Sequence, residues 1–229
     1  MSLTGSATIL GIDASRAACS AAILREGNML AAEGQTMARG QAEVLPTMIE
    51  RVLGKAGIVH SAIDTIAVLV GPGSFTGIRI ALAAARGLAL VTGARIVGID
   101  GFAAALEAAD ATRPALIAIE TGRGSYFVRR FDGDIAGATA VAILDADALA
   151  TLAPAGRFHL VAPAEVEATF AARPDAVWKP AALAGLAPAA ARIAARILAS
   201  DGRGPDGAAL APRPLYVAPP AVTMPRVDK

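Results

Sequence analysis

The stretch from Thr65 to Leu90 constrains this chain more than any other. It opens with the uninterrupted apolar run Thr65 to Val70, passes through Gly71-Pro72-Gly73-Ser74-Phe75-Thr76-Gly77, and continues as Ile78-Arg79-Ile80-Ala81-Leu82. The run predicts a buried strand, and the residues beyond the loop predict a helix from about Thr76 to Leu90. Gly71 and Gly73 let the chain leave the strand sharply, because glycine takes positive φ at little steric cost. Pro72 fixes one φ and stiffens the loop. Ser74 or Thr76 can accept a hydrogen bond from the first free N–H groups of the helix.

Gly77, Ala81, Ala85 and Ala89 recur every four residues and share one face of that helix. Small side chains allow a close neighbour. Two readings stay open: an internal helix packed on its own sheet, or a face of which part, with Ile78, Leu82 and Leu88 beside it, docks on another subunit. The glycine loop does not fit a Walker phosphate loop, which needs Lys followed by Ser or Thr after its last glycine, where this chain has Ile78-Arg79. The dinucleotide fingerprint fails too, because Gly77 lies one residue too far from Gly73.

Composition excludes several classes. The 229 residues suit one large domain or two small lobes. A formal charge of +1 gives no strong field toward nucleic acid or anionic membrane. Aromatics at 4% argue against a stacking platform for single-stranded RNA. Arg79 and Arg86 interrupt the longest apolar stretch, so no membrane span is expected. No signal peptide is evident, and a lone cysteine, Cys19, forms no intrachain disulfide. The expected location is the cytoplasm.

In chain order, Thr8 to Asp13, Cys19 to Leu24 and Met29 to Gly34 read as three antiparallel strands. Gln41 to Lys55 reads as an amphipathic helix with Ala42, Leu45, Ile49, Val52 and Leu53 on one side, and Pro46 as a kink or restart. Arg95 to Ile99 is a strand and Phe102 to Ala109 a helix. Arg113-Pro114 marks a lobe boundary. Beyond it, Ala115 to Glu120, Tyr126 to Asp132 and Ala138 to Leu144 repeat the strand plan of the first lobe, which suggests two related lobes. Then come a helix from Asp145, a strand at Phe158 to Val161, and helices at Pro163 to Ala172 and Pro188 to Ala199. Gly202 to Ala211 reads as loop. The expected division is 1–112, 113–211 with its last helix packing back on the first lobe, and an extended proline-rich tail over 212–229, disordered at its end.

The hairpin Gly11-Ile12-Asp13-Ala14-Ser15, echoed around Ile119-Glu120 and Gly122, resembles the actin/Hsp70/sugar-kinase superfamily. The string Gly71 to Arg79 is more specific. With Leu45-Pro46, Tyr126 and Pro214-Leu215-Tyr216, it resembles the glycoprotease-like TsaB (YeaZ) family across most of the chain. Gly40-Gln41, Glu120-Thr121-Gly122 and Tyr216-Val217 depart from that family's usual residues. The resemblance implies an α/β, two-lobed, actin-like ATPase (ribonuclease H-like) fold, each lobe a mixed sheet beginning with an antiparallel meander. It implies an accessory subunit, not an enzyme, in the synthesis of threonylcarbamoyladenosine at position 37 of tRNA. The implied partners are a TsaD-type catalytic subunit, a TsaE-type ATPase, tRNA through the complex, and a second copy when the chain is alone. The partner contact would use Leu45, Met48, Ile49 and Val52 beside Phe75, Ile78, Arg79 and Leu82, two helices from each partner. Gly71, Pro72, Gly73 and Gly77 would be a structural loop.

Other chemistry is weaker. In the superfamily, the first hairpin holds ATP phosphates while an aspartate positions Mg²⁺. Asp13 and Ser15, with Ser20, and Glu120 and Gly122 from the second lobe, are vestigial candidates for weak nucleotide binding, and no cofactor is expected to be held by the chain itself. Alternatively, Asp13 ends a strand and caps a turn. No metal is expected: the relative TsaD uses a histidine pair on a helix, whereas His60 and His159 stand far apart. An ATP-dependent small-molecule kinase or phosphatase working through Asp13 is the alternative from another class. A glycoprotease-type peptidase is disfavoured, since Cys19 falls in a buried strand pattern and no nucleophile elbow appears.

Overall fold

The polypeptide lays down one five-strand order twice. A computed structural model describes residues 7–133, 138–182, 184–200, 209–210 and 212–217. In the first lobe β1 (Thr8–Arg16), β2 (Ala18–Arg25) and β3 (Asn28–Thr36) form an antiparallel meander. Parallel strands β4 (Thr65–Gly71) and β5 (Arg95–Asp100) extend the other side of β1. In the second lobe β6 (Ala115–Glu120), β7 (Tyr126–Phe131) and β8 (Ala142–Leu144) are the meander, and β9 (Phe158–Ala162) and β10 (Ala176–Pro180) the parallel extension. The orders β5-β4-β1-β2-β3 and β10-β9-β6-β7-β8 correspond strand for strand.

Five layers stack. Helices α1 (Gln41–Ala56) and α2 (Phe75–Thr92) cover the outer face of the first sheet. Helices α3 (Gly101–Ala108) and α5 (Ala187–Ala199) fill the space between the sheets, where Phe102, Ile193 and Ile197 meet Leu69 and Ile99 from one sheet and Ile117 and Phe131 from the other. The outer face of the second sheet carries α4 (Ala164–Glu167) and the 3₁₀ turns Ala146–Leu152 and Ala168–Phe170 over Leu116, Leu160 and Phe158. This sandwiching explains why β1 and β4 read as continuous apolar runs, since both faces of those strands lie under helices. The edge strand β3 instead alternates exposed and half-buried residues.

Several elements differ from expectation. Pro46 does not interrupt α1. The segment from Asp145 is a 3₁₀ turn rather than an α-helix, and the span from Pro163 winds as α4 plus a 3₁₀ turn. Alanine's helix preference does not sustain a longer helix there, because these spans lack a long apolar stripe to pack. Of the strand expected over 138–144, only Ala142–Leu144 joins the ladder, with Ala138 bridging to Phe131. Strand β10 is not predicted from the sequence. Within the span expected to be loop, Ala209–Leu210 forms β11, antiparallel to β5 at the sheet edge. The rest of 201–208, and the tail from 218, lie outside the described residues.

Candidate functional site

The ends of β1, β4 and β5 meet at the glycine loop. Ser74 Oγ accepts from the Gly77 N–H at 3.1 Å and caps α2, while the Ser74 N–H donates to the Ser15 carbonyl at 2.6 Å. A methyl group on Gly73 would strike the Ser15 carbonyl, and one on Gly77 the Ala14 carbonyl. Gly71 stands at φ +116°, under the Leu215 carbonyl. The loop therefore needs glycine because backbone lies on backbone. The Ser74 and Gly77 N–H groups that a phosphate would need are already bonded inside the chain. The structural role expected for Gly71, Pro72, Gly73 and Gly77 has a physical cause in this packing.

Asp13 lies beside it, fully buried. Its Oδ1 accepts from the Ser15 N–H at 2.8 Å and the Ser15 hydroxyl at 2.6 Å. Its Oδ2 accepts from the Leu186 N–H at 2.8 Å. Ser20 Oγ accepts from the Ala187 N–H at 3.1 Å. The start of α5 thus sits on the first hairpin, close enough that a methyl on Gly11 would meet the Ala187 carbonyl and one on Gly34 the Ala184 carbonyl. The Arg16 guanidinium, its pKa lowered by burial and held up by Asp13, donates to the Ala182 carbonyl at 2.7 Å. Asp13 serves as the anion at a helix N-terminus. Ser15 is buried with it.

As ligands for ATP and Mg²⁺ these residues do not fit: one carboxylate oxygen is taken by the Ser15 backbone and hydroxyl, the other by the backbone of the chain's own second half. Glu120 and Gly122 belong to the β6–β7 turn, which closes on itself through Thr121 Oγ and Ser125 Oγ at 2.9 Å. Asp13's hydrogen-bond partners come from the β1–β2 hairpin and the start of α5, not from that turn. The histidines do not form a metal pair either. His60 faces Glu50 at 2.8 Å, and His159 Nδ1 faces the Thr112 backbone. Among the described residues, no cluster of three His, Cys, Asp or Glu side chains has metal-binding geometry. Burial, then the nearby Asp13 charge, pushes the Cys19 thiol up to about 11, the opposite of a nucleophile's requirement.

The helix face expected to meet a partner is corrected here. Leu45, Met48, Ile49, Val52, Ile78 and Leu82 are buried in the lobe's own core against β1, β2 and β4. An amphipathic stripe wide enough to cover a sheet is consumed by that sheet. The small-residue stripe turns the same way: Gly77, Ala81 and Ala85 are buried and bring α2 close to the strands. Arg79 and Phe75 are engaged by the tail. The guanidinium sits 3.7 Å from the Phe75 ring centre, Tyr216 stacks on Phe75 at 5.0 Å, and Arg79 Nε donates to Tyr216 Oη at 2.9 Å. The tail is further held by the Leu215 N–H donating to the Val70 carbonyl at 2.8 Å and Arg86 Nη2 donating to the Pro212 carbonyl at 3.0 Å.

What α1 and α2 leave uncovered is a different set. On α2, Ala83, Arg86 and Gly87 are exposed, with Leu90 at 88% and Val91 at 83%. On α1 the outer positions include Glu43, Thr47, Glu50 and Gly54. Nothing stands within 4 Å of a side chain built on Gly54 or Gly87. Val59, 66% exposed, precedes the 3₁₀ turn His60–Ala62 that α2 touches. The helix α2 has the length and apolar content of a membrane span, yet its apolar residues Ile78 and Leu82 pack on the sheet and it carries two arginines. The signal for the outer set was present in the sequence: Ala83, Gly87, Leu90 and Val91 follow their own helical spacing, opposite the stripe of small residues.

A profile of the TsaD family, described as tRNA N6-adenosine threonylcarbamoyltransferase, matches residues 35–200. The Haemophilus influenzae tRNA threonylcarbamoyladenosine biosynthesis protein TsaB is 33% identical over 102 residues, 44% of this chain and 43% of that protein. Its Escherichia coli counterpart is 32% identical over 130 residues, 55% of each. The chain thus spans about half the length of these curated relatives, or less. The solved structure of YeaZ from Pseudomonas aeruginosa superposes with a TM-score of 0.73 at 25% identity, over 92% of this chain and 100% of that one.

Proposed function

Because the chain belongs to the TsaD family and stands within it among the TsaB (YeaZ) proteins, we propose that it is a non-catalytic subunit in the synthesis of N6-threonylcarbamoyladenosine in tRNA. It pairs with a TsaD-type catalytic subunit and helps to recruit a TsaE-type ATPase. The observation that carries this reading is the sealing of Asp13 beneath α5, which removes the residue a superfamily ATPase would use, while the outer side of α1 and α2 keeps Leu90 and Val91 in water. Exposed aliphatic side chains beside open glycines suit close helix–helix contact. Two helices from each protein form the contact, and in the absence of TsaD the same side closes on a second copy with two-fold symmetry.

The test is co-elution of the purified chain with TsaD from the same cell. Leu90→Asp together with Val91→Asp abolishes co-elution while the thermal midpoint stays within about 2 °C, as expected for exposed positions. Undiminished co-elution of that folded double variant counts against this surface. A reconstituted mixture of TsaD, TsaE and this chain, supplied with tRNA, measures whether modification requires the pairing.

A further inference from the structure

The tail packs on the start of α2 through an aromatic and arginine cluster. Among the described aromatic residues only Tyr216 is exposed, at 42%, and Phe75 and Trp178 are half-buried. Tyr216 is 141 positions from Phe75 in sequence (216 − 75), yet the fold stacks the two rings at 5.0 Å with 29° between their planes. The ring is fixed a second time by Arg79, whose Nε donates to its hydroxyl at 2.9 Å. A surface aromatic held both from below and at its tip is a pre-organised flat platform.

Its surroundings are cationic. Arg79 bonds its hydroxyl, Arg86 further along α2 bonds the Pro212 carbonyl of the same tail, Arg213 is exposed three residues before Tyr216, and no acidic residue occurs on α2 or in 212–217. The hydrogen-bond partners of Arg79 and Arg86 there, Tyr216 Oη and the Pro212 carbonyl, are neutral, so their charges remain. A flat apolar ring with unneutralised guanidinium groups beside it matches a nucleobase joined to phosphates. An acidic peptide would use the charges and leave the ring idle.

We propose that Tyr216, backed by Phe75 and Arg79, stacks an unpaired base of an RNA strand whose phosphates meet the exposed arginines of α2 and the tail, Arg86 and Arg213. The proposal rests on the reading that this chain works on tRNA. Composition argues against a stacking platform, and the proposal departs from that expectation at a single base position, which demands only one rigid ring. Phe75 and Arg79 stand at the start of α2 and Leu90 and Val91 at its end, with Arg86 between them, so a base can stack at one end of the helix while the other end meets protein.

The test is fluorescence anisotropy of a labelled hexaadenylate RNA with the intact chain. Saturable binding is expected at about 50 mM salt, weakened about twentyfold at about 200 mM by three phosphate contacts. Tyr216→Ala weakens binding by about fivefold or more, the loss of one stacked base. Tyr216→Phe, which keeps the ring, stays within about twofold of the unaltered chain, and Arg213→Glu flattens the salt dependence. Equal binding by folded Tyr216→Ala, no saturable binding at the lower salt, or displacement by equimolar ATP or polyglutamate overturns the proposal. Co-elution of Tyr216→Ala with TsaD separates this outcome from failure of the subunit reading: an RNA site that fails leaves co-elution intact.

Discussion

Replacing Asp13 by alanine is the sharpest test of what the first hairpin does. The substitution strands the N–H groups of Ser15 and Leu186 and the hydroxyl of Ser15, all now bonded to one carboxylate. Hydrogen bonds to a charged acceptor contribute about 1.5–3 kcal/mol each. Two backbone donors alone therefore account for about 3–6 kcal/mol. The loss also leaves the Arg16 guanidinium without its nearby charge, while removing the cost of keeping a carboxylate buried. The net destabilisation is about 3–5 kcal/mol, the range seen when one member of a buried ionic group is deleted. For a chain of this length that lowers the thermal midpoint by about 10–15 °C. Thermal unfolding followed by far-ultraviolet circular dichroism reads it directly. Asp13→Asn should fall between, since one amide oxygen still accepts but the amide nitrogen faces a donor. If Asp13→Ala leaves the midpoint unchanged and instead removes ATP turnover present in the unaltered chain, then Asp13 is a ligand residue and the helix-cap account is wrong.

Three further outcomes can be checked on the same protein. Gly77→Ala drives a methyl into the Ala14 carbonyl and destabilises by about 2–3 kcal/mol, whereas Gly87→Ala, with open space around it, stabilises by about 0.5–1 kcal/mol; paired urea titrations read both. Burial raises the pKa of Asp100 above the ordinary carboxylate range, against the hydrogen bonds from α3 and the Arg129 charge. The folded state then holds this proton more tightly than the unfolded one, so the contribution is present at low pH and lost as pH rises through the folded value; Asp100→Asn should flatten that part of the stability–pH curve. Cys19, buried and with its thiol pushed up to about 11, should resist iodoacetamide near neutral pH until denaturant is added, and rapid labelling of the folded chain would refute its burial.

The strands and their echo were legible in the sequence because each lobe starts with the same local event, a strand turning tightly into its antiparallel neighbour. The strand–loop–helix at Thr65 to Leu90 was legible for a similar reason, since glycine, proline and a capping serine are local signals. Two kinds of feature were not. Periodicity reveals that α1 and α2 each have an apolar side but not what covers it, so Leu45, Met48, Ile78 and Leu82 looked equally suited to a partner or to their own sheet. Contacts made across long sequence separations were also hidden: nothing near Asp13 indicates that Leu186 will donate to it, and nothing near Phe75 indicates Tyr216. β10 was missed because Ala176-Val177-Trp178-Lys179-Pro180 is short and ends in proline, yet at a sheet edge beside β9 that proline is tolerated.

The placement of α5 also bears on where this chain can act. In a nucleotide site the protein supplies N–H donors and the ligand supplies negative charge. Here both sides of that interaction come from one polypeptide: Leu186 and Ala187 supply the donors, and Asp13 and Ser20 the acceptors. A phosphate arriving at the hairpin would have to expel a helix that also packs Ile193 and Ile197 between the sheets. Breaking that packing exposes two aliphatic side chains, each worth about 1.5–3 kcal/mol, besides the lost hydrogen bonds. The three most exposed large apolar side chains among the described residues, Leu90, Val91 and Val59, all lie on the first lobe, at the end of α2 and beside the turn it touches. Under the proposed function the partner contact belongs there, and substitutions in the hairpin should change the chain's stability before they change its partners.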